Sequence, residues 1–390
     1  MEYEFLLLIS TWICSIFFVF FSKGMKKAIL IWYIGCFLSF ISPSVYIYFG
    51  GENYRSYGIN SASTYMLLGS IVNVINIICT YISYRVLGKS PNLNNYHLDL
   101  TKRTLNYFWF FILISLVYVV YFWNLWPLVN AMKGNIIDRP DTVKGGFKFF
   151  FTISTIFMIV IPTLFFSLLK GQTKKNSIVM FFLVSILLVI GGNKGIFMYF
   201  CLFYWFYFLN FKINLRFVMI IILLLSLYLL MKGVSDFGLE TVIYAIESPL
   251  RRLFVAQGIA IPIRIEMLNA GILDYTAYES IKFVVFEFTY GYSPGSMPVV
   301  FFGDLFVHFG FIESLILSFI PVLLIHIFAN LVDRSANYSY LWLYFFTVYI
   351  LTMSGFSLAN AYRMIIVVSM FLFIRFLIKG QPFNENHNVS

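Results

Sequence analysis

The chain has 390 residues, 61% of them hydrophobic, 21% aromatic and only 11% charged, and its mean hydropathy is +0.86. That balance excludes an ordinary water-soluble enzyme or nucleic-acid-binding module and points to a polytopic membrane protein. The net charge of +10 comes from basic residues in the short gaps between apolar runs, where the Lys/Arg bias of cytoplasmic loops accounts for it without a nucleic-acid partner.

A membrane-crossing helix needs roughly 20 apolar residues. By that rule the sequence predicts spans over 4–22, 28–49, 62–87, 104–125, 148–169, 177–192, 195–210, 217–232, 311–332, 338–356 and 363–379. The expectation is an all-α integral membrane domain over 1–390, with about 11 transmembrane helices. The first run follows Met-Glu-Tyr-Glu, which lacks a basic start, and no small-residue cleavage site follows it, so it reads as a retained span. Cys14, Cys36, Cys79 and Cys201 all fall inside apolar runs and read as small core residues.

Gaps carrying Lys23, Lys26 and Lys27, then Lys89, Lys102 and Arg103, then Lys170, Lys174 and Lys175, then Lys212 and Arg216, alternate along the chain. Placing them in the cytoplasm sets the amino terminus outside and the carboxyl terminus inside. The outer side then holds 50–61, 126–147, the Gly191 to Lys194 turn, the long segment 233–310 and the Gly355 to Tyr362 turn. Segment 233–310 mixes charges with Phe, Ile and Val, and is expected to be an external loop with interfacial helices lying against the bilayer.

Three outer helix starts carry cations. In GGNKG, Gly191 and Gly192 permit a tight turn, Asn193 can cap, and Lys194 opens the next helix. In ESPLRRLF, Ser248 can cap and Pro249 suits the first helical position. Arg251 and Arg252 then fill the first turn, and Leu250, Leu253, Phe254 and Ile261 form an apolar face. In LANAYRMII, Asn360 can cap and Arg363 stands three residues on. Cations at a helix start oppose its dipole unless an anion is bound, so Lys194, Arg251, Arg252 and Arg363 are candidate ligands of a diphosphate. The competing reading is that they snorkel to lipid headgroups. Arg264, with Glu266 nearby, reads as an interfacial residue, and Lys133, Arg139 and Lys144 share their loop with Asp138 and Asp141.

Further on, Pro294, Gly295, Ser296 and Pro298 mark a loop and a helix start. Asp304 and His308 follow, four apart and so on one helical face. A carboxylate beside an imidazole could let His308 take a proton from a sugar hydroxyl; alternatively the two only satisfy each other. Glu287 and Glu313 are further base candidates. No HExxH, DxD or similar metal cluster occurs, and His326, deep in an apolar run, reads as a hydrogen-bonded core residue.

At two places the sequence resembles the oligosaccharide repeat-unit polymerases of bacterial envelopes, the O-antigen polymerase (Wzy) family. The turn Gly192-Asn193-Lys194-Gly195 is similar to that family's Gly-x-[Arg/Lys]-Gly turn. The stretch Gly303-Asp304-Leu305-Phe306-Val307-His308-Phe309-Gly310 is similar to its Gly-[Glu/Asp]-x-x-x-x-[Phe]-Gly stretch, with Asp in place of the commoner Glu. The resemblance implies a C-type, metal-independent, inverting glycosyltransferase without a cofactor, at the outer face of the bacterial inner membrane. Its substrates would be undecaprenyl-diphosphate-linked oligosaccharides, as in lipopolysaccharide synthesis, and a chain-length regulator is a candidate partner. Lys194, Arg251, Arg252 and Arg363 would neutralise the departing diphosphate, and His308 with Asp304 would activate the acceptor. The rivals are an O-antigen ligase-type transferase, a transporter or flippase of lipid-linked oligosaccharide, and a membrane acyltransferase built on His326.

Overall fold

The computed structural model describes residues 1–21, 27–50, 53–54, 57–58, 60–87, 101–133, 149–169, 173–208, 250–273, 281–291, 297, 299–335, 337–355 and 357–379, with single helical positions at 218, 222, 243 and 247. Helices α1 (Glu2–Phe21), α2 (Lys27–Cys36) and α3 (Ser42–Tyr48) come first. A two-residue antiparallel pair, β1 (Asn53–Tyr54) with β2 (Tyr57–Gly58), precedes α4 (Ala62–Leu87). Next come α5 (Thr101–Tyr121), α6 (Pro127–Met132), α7 (Phe150–Thr155), α8 (Ile161–Leu168), α9 (Lys174–Ile190) and α10 (Lys194–Phe208). The last five are α11 (Gln257–Asn269), α12 (Ile281–Tyr290), α13 (Phe301–Ser335), α14 (Tyr338–Met353) and α15 (Leu358–Lys379).

Among the described residues seven helical stretches are long and apolar enough to cross a membrane: Glu2–Phe21, Ala28–Tyr48, Ala62–Ser83, Arg103–Tyr121, Phe150–Leu168, Phe301–Arg334 and Leu358–Leu377. Three shorter apolar helices, Lys175–Ile190, Gly195–Trp205 and Tyr338–Met353, fall on further predicted spans. The predicted span at 217–232 lies outside the described residues except for two helical positions, Val218 and Ile222. The described residues thus hold seven such stretches, against the eleven spans expected. The chain's exposed surface agrees: Ile312, Ile316, Ile320 and Leu324 line one open face of α13, and Ile365, Val368, Leu372 and Phe376 one of α15. Apolar rows of that length on a solvent-facing surface would be an aggregation liability in water. Cys36, Cys79 and Cys201 are buried as expected, but Cys14 is exposed on α1.

The chain divides into two compact units. The first comprises Met1–Asn92, Ile246–Ala336 and Tyr344–Tyr362; the second comprises Leu93–Ala245, Asn337–Leu343 and Arg363–Ser390. In the first, α4 packs along α1 and α13, and α13 also packs on α2. A π-turn, Phe37–Ile41, joins α2 to α3, and its cause is local. Pro43 has no N–H and its ring crowds the carbonyl four residues back, so the turn before it widens. The freed carbonyl of Ser39 accepts instead from the Tyr65 hydroxyl of α4 at 2.5 Å. Gly258 of α11 closes over the same spot, where a Cβ would overlap Pro43 and lie 2.5 Å from Ser39 O and 2.6 Å from Tyr65 Oη.

In the second unit the π-turn Ile156–Val160 stands before Pro162 for the same reason. Here the core is aromatic: Phe165 and Phe166 of α8, Phe181 of α9, Phe200 of α10 and Trp342 are all buried. Phe181 and Phe200 stack with ring centroids 5.3 Å apart, and Phe166 lies 5.3 Å from Trp342. Ring contacts of this kind add about 0.5–1.5 kcal/mol each beyond their burial.

Candidate functional site

Part of the segment expected to lie on the bilayer surface is enclosed in the first unit. Along α11, Ile259, Ala260, Ile261, Ile263, Arg264, Ile265 and Met267 are all buried. With 13 residues it is too short to span, so it is an internal helix packed against α13, α12, α4 and α3. Arg264 is therefore not interfacial as expected: its side chain is 1% exposed. It donates from Nη1 to Ala260 O at 3.1 Å and from Nη2 to Met297 O at 3.0 Å. Nη2 also faces Asp304 Oδ1 at 3.6 Å, an ion pair rather than a good hydrogen bond.

Burial pulls the proton affinity of the Arg264 guanidinium down from the usual arginine value, and the Asp304 carboxylate pushes it back up. An arginine stays charged under such a load, so the carboxylate is what makes its burial tolerable. Asp304 is fixed from the other side by the turn after α14. Gly355 sits there at φ 72°, where a Cβ would overlap Asp304 Oδ2 and lie 2.9 Å from Val299 O. Asn360 ties that turn shut, donating from Nδ2 to Ser354 O at 3.1 Å and to Gly355 O at 2.8 Å. The Arg264–Asp304 pair is the site feature that sequence reasoning missed; the signal was a lone arginine inside the run Ile259–Ile265.

Asp304 and His308 stand on the first segment of α13, which begins at Phe301. Gly310 ends that segment at φ 81°, ψ −171°, a conformation essentially restricted to glycine. The predicted span at 311–332 is thus the second part of an interrupted helix. Asp304 faces Arg264 and stands one helical turn before His308. His308 is partly exposed, with its ring 6.2 Å from that of Phe309. Pro294, Gly295, Ser296 and Pro298 lie outside the described residues.

The Gly191–Gly192 turn takes the expected form. Gly192 adopts φ 68°, Gly192 N donates to Val189 O at 2.9 Å, and Asn193 N donates to Leu188 O at 3.1 Å. These two bonds are the Schellman pattern that closes α9. Asn193 O accepts from Phe197 N at 2.9 Å, which makes Asn193 the cap and Lys194 the first residue of α10. The side chain of Lys194 lies outside the described residues, as does that of Arg252.

At Arg251 the expected cap, Ser248, lies outside the described residues, as does Pro249. Glu247, ahead of them, is itself helical. Arg251 Nη2 pairs with Glu247 Oε1 at 3.5 Å, with both side chains exposed. A π-turn, Arg252–Ala256, then separates it from α11. Leu250 and Phe254 are consequently exposed while Ile261 is buried, so the predicted apolar face is split.

Arg363 stands in the second turn of α15, because Ser357 rather than Asn360 is the cap: Asn360 N donates to Ser357 Oγ at 3.2 Å. Within the second unit its guanidinium lies 4.6 Å from the Phe151 ring centroid, a cation–π contact. Two other helix starts, both in the first unit, already hold carboxylates. Glu266 accepts from Asn60 N and Ser61 N ahead of α4, and Asp333 accepts from Ala28 N of α2 at 3.0 Å. Lys194 and Arg363 belong to one unit, and Arg251, Arg252, Asp304 and His308 to the other.

His326 is buried as expected for a core histidine, its Nδ1 2.8 Å from Val322 O and its ring edge-on to Tyr33 at 6.5 Å. Comparison with known protein families, with curated proteins and with solved structures finds no match to the chain.

Proposed function

We propose that the protein is a polymerase of lipid-linked oligosaccharide repeat units, transferring the growing glycan from undecaprenyl diphosphate to a new lipid-linked unit at the outer face of a bacterial inner membrane. One observation carries the reading: each of the two stretches resembling the polymerase family is built around a glycine conformation that other residues adopt only with strain. Gly192 at φ 68° turns the chain into the helix that Lys194 opens, and Gly310 at φ 81° ends the segment bearing Asp304 and His308.

In this reading the acceptor hydroxyl attacks the anomeric carbon of the donor, the bond to the diphosphate oxygen breaks, and the hydroxyl proton passes to His308. Each of Lys194, Arg251, Arg252 and Arg363 is a candidate to take the negative charge that builds on the leaving diphosphate. Arg251 is available for this, since an exposed pair such as Arg251–Glu247 is worth only about 0.2–1 kcal/mol and yields readily to a diphosphate. Asp304, paired with Arg264, is the anchor of the segment carrying His308.

A transporter of the same lipid-linked sugars is the second reading, favoured by the interrupted helix at Gly310 beside a buried charge pair. Purified protein in detergent, given one lipid-linked repeat unit, separates them, because no compartments exist there. Dimers and longer glycans on the lipid support the polymerase; unchanged starting material overturns it.

A further inference from the structure

We propose that Ser42 is a positioning residue for the diphosphate-binding arginines, acting through the backbone of the π-turn that follows them. The inference rests on the polymerase reading, in which Arg251 and Arg252 hold the departing diphosphate. Ser42 Oγ donates to Phe254 O at 2.6 Å. That carbonyl belongs to the π-turn Arg252–Ala256, which begins at one of the two arginines and directly follows the other.

A π-turn carries one residue more than a regular helical stretch, so its carbonyls lose their usual donors four residues on. The extra residue also rotates the flanking helical segments about their axis by about 100° relative to each other. Arg264 lies in the core and Arg251 on the surface at either end of this stretch. Left alone, such a turn can migrate or close up, and the arginines would swing with it.

Two contacts hold it. Below the turn, Gly258 is seated against Pro43, Ser39 O and Tyr65 Oη so tightly that α11 cannot rotate or slide there. Within the turn, the Ser42 hydroxyl adds a donor to Phe254 O. Ser42 is placed to do so by its own π-turn, where its N–H bonds Phe37 O. Two widened turns, Phe37–Ile41 and Arg252–Ala256, thus pack on each other, with Ser42 as the polar link between them.

The test measures binding of inorganic pyrophosphate to the full-length protein in detergent by calorimetry, with the thermal midpoint followed in parallel. Ser42→Ala should weaken binding roughly fivefold, the worth of one ordinary hydrogen bond, without a matching fall in thermal midpoint. Ser42→Thr, which keeps the hydroxyl, should restore it. Arg251→Ala should weaken binding more, and Ser42→Ala added to it should cost little extra, because the hydroxyl acts through the arginines. Wild-type affinity in Ser42→Ala, a full additive loss in the double variant, or a thermal midpoint that falls in step with affinity overturns the proposal. A wild-type protein that does not bind pyrophosphate overturns the diphosphate site itself.

Discussion

Replacing Gly355 by alanine tests whether the turn after α14 holds the Asp304 carboxylate in place. The change has two separable costs. An L-residue in the left-handed region costs roughly 1–2 kcal/mol, and Gly355 sits at φ 72°. Beyond that, the new Cβ would overlap Asp304 Oδ2 and press on Val299 O at 2.9 Å, so the carboxylate must shift. Breaking a buried ion pair costs about 3–5 kcal/mol, which is the upper limit of what this shift adds to the backbone term. Gly271 is the control: it ends α11 at φ 68°, but nothing lies within 4 Å of its Cβ position, so Gly271→Ala carries the backbone term alone. Unfolding by SDS in mixed micelles, followed by tryptophan fluorescence, gives both values on one scale. Equal losses in the two variants would refute the argument, since the contact with Asp304 would then contribute nothing.

The same pair predicts that Arg264→Met destabilises by about 3–5 kcal/mol and that adding Asp304→Asn recovers most of it, because the stranded charge is removed; the SDS titration reads both. Tyr65→Phe should cost about 1–3 kcal/mol by leaving the Ser39 carbonyl without a donor, measured the same way. On the functional side, Arg251→Ala and Arg363→Ala should each abolish chain extension with protein level unchanged; glycan ladders of normal length in either variant remove that residue from the leaving-group site. His308→Ala should stop extension while abundance holds, and unchanged polymer would take His308 out of the chemistry.

Helix positions were legible because apolar runs near twenty residues have few alternatives in a chain this hydrophobic. The Gly191–Gly192 turn was legible too, since adjacent glycines between such runs leave one economical geometry. Arg264 was not. A single arginine flanked by Pro262 and Glu266 looks like a surface residue until its partner, forty positions away in Asp304, is known, and no local pattern encodes that pairing. The cap of α15 was misread for a related reason. Ser357 and Asn360 are both good caps by type, and only the turn conformation at Gly355 decides that Asn360 spends its amide on Ser354 and Gly355 instead. The π-turn at Arg252–Ala256 split a face that regular spacing had joined, since periodicity arguments assume an uninterrupted helix.

Helix α9 runs for only 17 residues between Thr173 and the Gly191 turn, a rise of about 25 Å, against a hydrocarbon layer of about 30 Å. Val179, Phe182 and Ile186 are exposed along it, so in a bilayer that mismatch would fall on lipid. Acyl chains beside α9 would then shorten or tilt to meet it, drawing the headgroup plane inward there. In the polymerase reading, a polyprenyl carrier in the leaflet would meet a local dimple at that flank, its polar end drawn toward the bilayer centre.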